Sequence, residues 1–137
     1  MKTLAIIAAL GLSIAAAAPA HAGDADAGEN TFKKCKACHM IENAGDTIYK
    51  GGKTGPNLYG VIGRKAGSYE GFGYGNDLVA AGEKGLMWDE ASLAKYIEDP
   101  KAFLREYLDD GGAKSKMSYK LKKGGDDVAA FLATHGS

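Results

Sequence analysis

The sequence is poor in net charge and in long apolar runs. It has 17 Lys and Arg residues and 17 Asp and Glu residues, so its formal net charge at pH 7 is zero. This balance argues against general nucleic-acid binding, because nucleic-acid-binding domains carry an excess of basic residues on one face. After residue 22, no apolar run approaches the roughly 20 residues that a membrane-spanning helix needs. We therefore expect a chain that neither binds nucleic acid nor is embedded in a membrane.

The one apolar run of any length lies at the start of the chain. It has Lys2 near its beginning, an alanine-rich core that ends at Pro19, and Ala-His-Ala at residues 20–22. A charged start, a short apolar core and an A-x-A end are typical of a cleaved secretory signal peptide, and the core is too short for a membrane anchor. We predict a signal peptide over residues 1–22 and a single exported domain over residues 23–137.

Cysteine is scarce and glycine is abundant. The only two cysteines are Cys35 and Cys38, whereas there are 20 glycines. A disulfide between cysteines three positions apart would close too small a loop to stabilise the fold. Glycine-rich segments cost conformational entropy to order, and a small domain of this kind needs a metal or a large buried group to complete its core.

Apolar residues recur at helical spacing in five places, and no segment shows the alternation of a convincing strand. Asp26 and Glu29 are the predicted capping pair of the first helix, Asp89 is the predicted cap of the third, and Pro100 stops it. Residues 41–75 are rich in Gly, Pro and Asn and are predicted to form an ordered loop. The fold class is therefore all-α with long loops. The predicted helices are Asp24 to about Lys36, Asn76–Ala81, Asp89–Asp99, a fourth that starts at Pro100 and a fifth that begins near Asp126.

Both cysteines and one histidine lie within the five residues CKACH, from Cys35 to His39. A redox-active dithiol is typical of a βαβ context, which this chain lacks. A structural zinc site needs four ligands, and after residue 22 only one further histidine, His135, is available. The third interpretation is covalent haem attachment, for which C-x-x-C-H is the signature. Cys35 and Cys38 would then form thioethers and His39 would bind the iron, and the haem would supply the missing core.

An iron bound by one histidine has a sixth position, and its occupant decides between an enzyme and an electron carrier. The candidates are Met40, Met87, Met117 and His135. Met40 is too close to the motif histidine to reach the opposite face, Met87 is interpreted as a core residue, and His135 lies near the chain end. Met117 lies in a loop, GGAKSKMSYKL, but a single methionine usually fills a core. These residues alone leave the choice open.

Six stretches occur in a fixed order between Asp24 and Thr134: GENTFKKCKACH, KTGPNLYGVIGRKAG, GFGYGND, MWDEASLAKYIEDP, KSKMSYKL and DDVAAFLA. In this order they resemble the class I c-type cytochromes, most closely the bacterial cytochrome c2 group. The resemblance implies the cytochrome c fold, one covalent haem c, and an electron-transfer protein rather than an enzyme. Extra residues before Trp88 and before Met117, relative to mitochondrial cytochrome c, are a mark of the larger c2 proteins.

The same resemblance implies roles for individual residues. Met117 would be the sixth ligand, and the carbonyl of Pro56 would accept a hydrogen bond from the ring N–H of His39. Tyr96 resembles the tyrosine that touches the methionine sulfur. The first and last helices would cross at Gly28, Phe32 and Phe131. The residues that resemble partners of a haem propionate are Arg64, Tyr74 and Trp88.

Basic residues cluster around the predicted methionine ligand. Residues 114–123 contain five lysines and no acidic residue. Such a field can steer an acidic partner toward an exposed haem edge, and lysines near the CKACH motif would extend it. The predicted docking residues are Lys114, Lys116, Lys120, Lys122 and Lys123.

The resemblance to cytochrome c2 also implies partners. The donor would be a cytochrome bc1 complex, and the acceptor a photosynthetic reaction centre or a terminal oxidase. We expect a periplasmic monomer that docks transiently on these membrane complexes. The alternative is a peroxidase-like or gas-binding haem enzyme in which Met117 is displaced from the iron.

Overall fold

Residues 23–136, the part of the chain that this computed structural model describes, contain five helices and one short hairpin joined by long loops. The predicted all-α architecture of about five helices with long loops is confirmed. The predicted signal peptide, residues 1–22, lies outside the described residues. None of the helices within residues 23–136 has the length and apolar character needed to cross a membrane. The elements are α1 (Ala25–Phe32), β1 (Ile41–Asn43), β2 (Asp46–Tyr49), α2 (Asn76–Glu83), α3 (Glu90–Glu98), α4 (Pro100–Leu108) and α5 (Gly125–Ala133).

The first and last helices, α1 and α5, pack directly against each other. Gly28 is buried at their crossing, where a Cβ atom would clash with the backbone carbonyl of Asp127. Phe32 packs on Phe131 with ring centroids 5.3 Å apart, and the backbone N–H of Asp24 donates to the Asp127 carboxylate at 2.8 Å. The close approach is possible because Gly28 has no side chain, and it anchors the segment that follows α1.

Aspartates cap both α3 and α4, and the sequence predicts the first of these caps, Asp89. Asp89 and Ser92 form a reciprocal capping box on α3: the Asp89 carboxylate accepts from the Ser92 N–H at 2.7 Å, and the Ser92 hydroxyl accepts from the Asp89 N–H at 3.1 Å. Asp99 ends α3 and caps α4, whose first residue is Pro100. The proline forces the chain to turn between the two helices, because it cannot donate the hydrogen bond that would continue α3.

The first helix differs from the prediction at both ends. Its N-cap is Asp24, whose carboxylate accepts from the N–H groups of Asp26 and Ala27. Asp24 has the extended backbone of a cap residue, whereas Asp26 already lies in the first turn. The helix ends at Phe32 rather than near Lys36, and residues 33–38 form successive turns. The CKACH motif therefore starts in turns and not on a regular helix.

A short antiparallel hairpin, β1–β2, lies within residues 41–75, which the sequence predicts to form an ordered loop. Ala44 and Gly45, between the strands, have φ values of 49° and 89°, and positive φ at both positions is what a tight hairpin turn requires. Of the strand residues only Ile41 is buried. The sequence therefore offers no apolar alternation from which these strands could be predicted.

Candidate haem-binding site

The CKACH motif forms one compact turn after α1. The N–H of Cys35 donates to the carbonyl of Phe32 at 2.8 Å. The N–H groups of Cys38 and His39 both donate to the carbonyl of Cys35, at 3.1 and 2.9 Å. These bonds hold the two sulfurs and the imidazole together, and all three residues line the same cavity.

The His39 ring is oriented by the carbonyl of Pro56, which lies 2.8 Å from Nδ1. A carbonyl oxygen can only accept, so Nδ1 carries the proton and Nε2 keeps its lone pair. Burial lowers the pKa of His39, while the hydrogen bond to Pro56 acts in the opposite direction. The neutral imidazole that burial favours is the form that binds metals.

Gly55 and Asn57, on either side of Pro56, fix its position. A Cβ atom on Gly55 would lie 2.7 Å from Nδ1 and 2.8 Å from Nε2 of His39, so only glycine lets the chain pass this close to the ring. The Asn57 side chain accepts from the N–H of Glu42 at 3.0 Å and donates to the Glu42 carbonyl at 2.7 Å. It thereby ties the Pro56 loop to β1. The sequence pattern assigns a role in the site to neither residue. The one indication is that Asn57 follows a Gly-Pro turn, since asparagine side chains in turns often bond to nearby backbone groups.

The cavity has a volume of about 330 Å³ and mostly apolar walls. This volume lies within the range of pockets that bind small molecules and cofactors, roughly 300–1,000 Å³. Loops supply one part of the apolar wall, and helices α2, α3 and α5 supply the rest. These residues are Leu58, Val61, Leu78, Leu93, Ile97, Val128 and Leu132.

Of the four candidates for a sixth ligand, all within the described residues, Met117 alone lines this cavity. His135 packs instead on the rings of Tyr49 and Phe131. Met87 is not the core residue that the sequence suggested, because 53% of it is exposed. Met87 pairs with Lys65 in an isolated antiparallel bridge. Successive side chains of extended backbone point to opposite faces, so Met87 faces outward while its buried neighbours, Leu86 and Trp88, face inward.

Trp88 and Arg64 are brought together by backbone pairing. The N–H of Trp88 donates to the Arg64 carbonyl at 2.9 Å, and the Trp88 carbonyl accepts from the Gly63 N–H at 2.7 Å. Trp88 is 5% exposed and lines the cavity. Its indole N–H makes no hydrogen bond within residues 23–136. An indole N–H without an internal partner, on a residue that lines the cavity, is suited to an acceptor group held there.

Some of the N–H groups of the Arg64 guanidinium already donate hydrogen bonds within the chain. It donates to the carbonyls of Asn57 and Tyr59, at 2.9 and 2.6 Å, and lies over the ring of Tyr69, 4.8 Å from its centroid. Burial lowers the pKa of Arg64, and the neighbouring Tyr74 opposes this effect most. The Tyr74 hydroxyl accepts from the Tyr69 N–H at 3.2 Å. Arg64 and Tyr74 thus form one polar region of the cavity wall.

Tyr96 connects the tryptophan to the Met117 loop. Its ring packs on Trp88 with centroids 4.9 Å apart. Burial raises the pKa of Tyr96, and a hydrogen bond with Ser115 acts in the opposite direction. The Ser115 hydroxyl also donates to the Met117 carbonyl at 2.9 Å. All these residues line the cavity.

The five predicted docking lysines occupy different surroundings. Lys120 forms an ion pair with Asp99, with Nζ 2.9 Å from the carboxylate oxygen. The Lys116 ammonium donates to the carbonyl of Gly73 at 2.9 Å. Two of the five lysines are therefore already engaged within the chain. Lys114 and Lys116 line the cavity. Lys122 and Lys123 line a separate hollow beside α3.

Neither the dithiol nor the zinc interpretation fits this geometry. Burial, together with the neighbouring Cys38, raises the pKa of the Cys35 thiol to about 11, against an opposing effect of Lys34. Reactive redox cysteines have lowered pKa values instead. Structural zinc sites take four ligands, whereas no three His, Cys, Asp or Glu side chains within residues 23–136 come together in a group that could hold a metal ion.

The residues of the cavity fit a covalently attached haem. Two cysteines and a histidine with a free Nε2 share an apolar cavity with the thioether of Met117. Imidazole nitrogen and thioether sulfur are ligands that haem iron takes in proteins. Trp88 adds a donor without an internal partner at the cavity wall, which suits the carboxylate of a propionate.

Proteins of high similarity establish the family. No protein-family model matches the chain. The cytochrome c-551 of Roseobacter denitrificans is 58% identical over 135 residues, which are 97% of this chain and 94% of that protein. The cytochrome c2 of Rhodobacter capsulatus is 56% identical over 133 residues, with 96% and 94% covered. The solved structure of cytochrome c2 from Rhodobacter capsulatus matches with a TM-score of 0.81, over 82% of this chain and 97% of that one. The chain therefore belongs to the class I c-type cytochromes and has the cytochrome c fold of the c2 group, whose members are electron-transfer proteins, not enzymes, with one covalently attached haem c.

Proposed function

We propose that this cytochrome is a periplasmic electron carrier whose haem is attached through Cys35 and Cys38 and whose iron is bound by His39 and Met117. One observation carries the ligation: among the four candidates for the sixth position, Met117 alone lines the cavity that the CKACH residues line. The family membership of the chain supports the electron-transfer function.

His39 would bind the iron through Nε2, because Nδ1 is committed to the carbonyl of Pro56. A hydrogen bond of this kind fixes the tautomer, holds the ring in one orientation and makes the imidazole a stronger ligand. The position of Pro56 depends in turn on Gly55 and Asn57. These contacts support a histidine whose orientation changes little between oxidation states.

Arg64, Tyr74 and Trp88 would hold a haem propionate. The free indole N–H of Trp88 and the guanidinium of Arg64 can both donate to a carboxylate, and a charge-assisted bond of this kind is about twice as strong as a neutral one. Tyr96 would lie beside the sulfur of Met117, since its hydroxyl is linked to Ser115 in the same loop.

The haem, when bound, supplies a one-electron couple between ferrous and ferric iron. His39 and Met117 would together hold the iron, so no position on the metal would be left for a substrate. A methionine ligand raises the reduction potential. The apolar side chains of the cavity exclude water, and exclusion of water disfavours the more highly charged ferric state. These residues favour rapid electron exchange over chemistry at the metal.

Electron transfer requires brief docking on larger complexes. By similarity to cytochrome c2, we propose a cytochrome bc1 complex as donor and a photosynthetic reaction centre or terminal oxidase as acceptor. Of the five predicted docking lysines, Lys114 and Lys116 are the two that line the cavity, so they would meet an acidic partner first. The cytochrome would act as a monomer exported by the signal peptide at residues 1–22.

Spectroelectrochemistry of the purified protein tests the electron-carrier function. We expect one reversible one-electron transition, a low-spin ferric spectrum and no turnover of hydrogen peroxide. A high-spin ferric spectrum with peroxide turnover would contradict it and would support the enzyme alternative.

The docking surface is tested by the rate at which a purified bc1 complex reduces the protein. We expect the rate to fall steeply as ionic strength rises past about 0.1 M, where the Debye length is about 10 Å. Lys114→Ala should slow the reaction more than Lys122→Ala, which removes the same charge from the other hollow. A rate that does not respond to salt, or equal effects of both variants, would refute this docking surface.

Export is tested by recovering the protein from the periplasm of the expressing cells and sequencing its N-terminus. A first residue of Gly23 is expected. Protein that stays in the cytoplasm with residues 1–22 attached would refute export.

A further inference from the structure

The loop that carries Met117 has no backbone hydrogen bonding of its own. Within residues 114–120, no N–H or carbonyl group bonds to another backbone group. The residues on either side do: Ala113 N–H donates to the Asp110 carbonyl at 3.1 Å, and Leu121 N–H to the Ile97 carbonyl at 2.9 Å. Side chains must therefore hold the loop in place.

A carboxylate from another element provides the tie at the start of this loop. Oδ2 of Asp77 accepts from the backbone N–H of Lys114 at 2.7 Å. Asp77 lies in the first turn of α2 and is half-buried. A backbone N–H that donates to a carboxylate forms a short and strong bond. No other backbone N–H of residues 114–120 has a hydrogen-bond partner within the described chain.

The segment that contains Asp77 meets the loop at two more points. The Lys116 ammonium donates to the Gly73 carbonyl at 2.9 Å, and a Cβ on Gly75 would lie 3.3 Å from Cγ of Lys116. The same segment contributes Tyr74 to the cavity wall. Residues 73–77 thus connect the proposed propionate region of the cavity to the loop of the proposed methionine ligand.

We propose that Asp77 is a positioning residue that keeps the Met117 loop closed over the cavity and so determines how firmly Met117 stays bound to the iron. This inference rests on the proposed ligation by Met117. The loop is in equilibrium between a closed state and an open state in which the methionine has left the metal. Because Asp77 ties only the closed state, its carboxylate shifts this equilibrium toward closure.

The magnitude follows from the bond that is lost. Loss of this hydrogen bond to a charged group should raise the population of the open state about tenfold in Asp77→Ala. This factor is at the lower end of the range for such bonds, because Asp77 is only half-buried. An external ligand binds only the open state, so its apparent affinity should rise by the same factor.

Imidazole is the probe for the test, added to the ferric holoprotein. Binding is followed by the Soret shift and by loss of the far-red sulfur-to-iron band. We expect imidazole to bind Asp77→Ala about tenfold more tightly than wild type. Asp77→Asn keeps a side-chain oxygen that can accept from Lys114 and should stay within about threefold of wild type.

Asp126→Ala is the matched control, because Asp126 also lies in the first turn of a helix, α5. Both aspartates interact favourably with a helix dipole, but Asp126 forms no side-chain hydrogen bond within residues 23–136. A general loss of stability would therefore affect both variants. We expect Asp126→Ala to bind imidazole as wild type does.

Backbone hydrogen exchange provides a second measurement. The amide of Lys114 should exchange about tenfold faster in Asp77→Ala than in wild type. An imidazole affinity of Asp77→Ala within twofold of wild type, or an equal rise in Asp126→Ala, would overturn the role of Asp77. A wild-type ferric protein without the far-red band would overturn the ligation by Met117 itself, and with it this role.

Discussion

The contact between Gly55 and the His39 ring makes a sharp prediction for Gly55→Ala. The new Cβ would lie closest to Cε1 of the ring and 2.7 Å from Nδ1, whereas ordinary contacts begin at 3.4 Å, so the ring or the loop must move by more than about 0.7 Å. The backbone of Gly55 is not in the left-handed region, so the substitution should destabilise the protein through the steric contact and not through backbone strain.

Two effects add in this variant. Overpacking of a well-packed site costs about 1–3 kcal/mol. The movement also stretches the bond from His39 Nδ1 to the Pro56 carbonyl, now 2.8 Å, and the loss of a neutral hydrogen bond costs about 0.5–1.5 kcal/mol. We therefore expect Gly55→Ala to lower the free energy of unfolding by about 2–4 kcal/mol.

Guanidinium denaturation of the holoprotein, followed by haem absorbance, measures this change. Gly111→Ala is the control, because a Cβ on Gly111 meets nothing within 4 Å and its φ is not positive. We expect the control to change the free energy of unfolding by less than about 1 kcal/mol. If Gly55→Ala were as stable as the control, His39 would not be held by this contact.

Three further predictions concern other parts of the chain. Gly28→Ala should destabilise the protein by about 3 kcal/mol in the same denaturation experiment, because the new Cβ would clash with the backbone of α5; a loss under 1 kcal/mol would refute the close crossing. Lys120 and the Ala102 N–H hold the pKa of Asp99 below its usual value. This lowered pKa means that the Asp99 carboxylate stabilises the folded state above about pH 3.9, the unfolded value, and that its contribution is lost as pH falls through the folded pKa. Urea denaturation should therefore show wild type more stable than Asp99→Asn at pH 7 and equally stable in strong acid, and a gap that persists in acid would be inconsistent with this pKa. Finally, a thiol reagent added to the denatured holoprotein should find no free thiol, because both cysteines would be thioethers in the proposed haem attachment, whereas two thiols would support the dithiol interpretation.

Features that depend on neighbours in sequence could be predicted well. Asp89 and Pro100 act within one helical turn, so the residue types alone indicate where α3 begins and ends. The CKACH motif is equally local, since its chemistry follows from the spacing of three residues. The first helix is predicted too long because its end at Phe32 is marked by neither glycine nor proline in the residues that follow, 33–36.

Features that depend on contacts distant in sequence could not be predicted from pattern. Asp77 resembles any acid in the first turn of a helix, and nothing near it indicates that it bonds to Lys114. Asn57 resembles an ordinary turn residue, although its side chain joins the Pro56 loop to β1. Met87 was misjudged because its outward direction follows from pairing with Lys65.

The choice of Met117 as the methionine ligand could be predicted only in part from the sequence. Composition and spacing leave four candidates open, and the family resemblance selects one of them. The structure adds an independent reason, because Met117 lines the cavity of the CKACH residues and the other three candidates, also within the described chain, do not.

The near-infrared spectrum of the ferric protein tests the central claim most directly. A weak sulfur-to-iron band is present only when a methionine is bound to ferric haem. We predict this band in wild type, in Met40→Leu and in Met87→Leu, and its complete loss in Met117→Leu. A band that survives in Met117→Leu, or that is absent from wild type, would contradict an electron carrier with His39 and Met117 as its iron ligands.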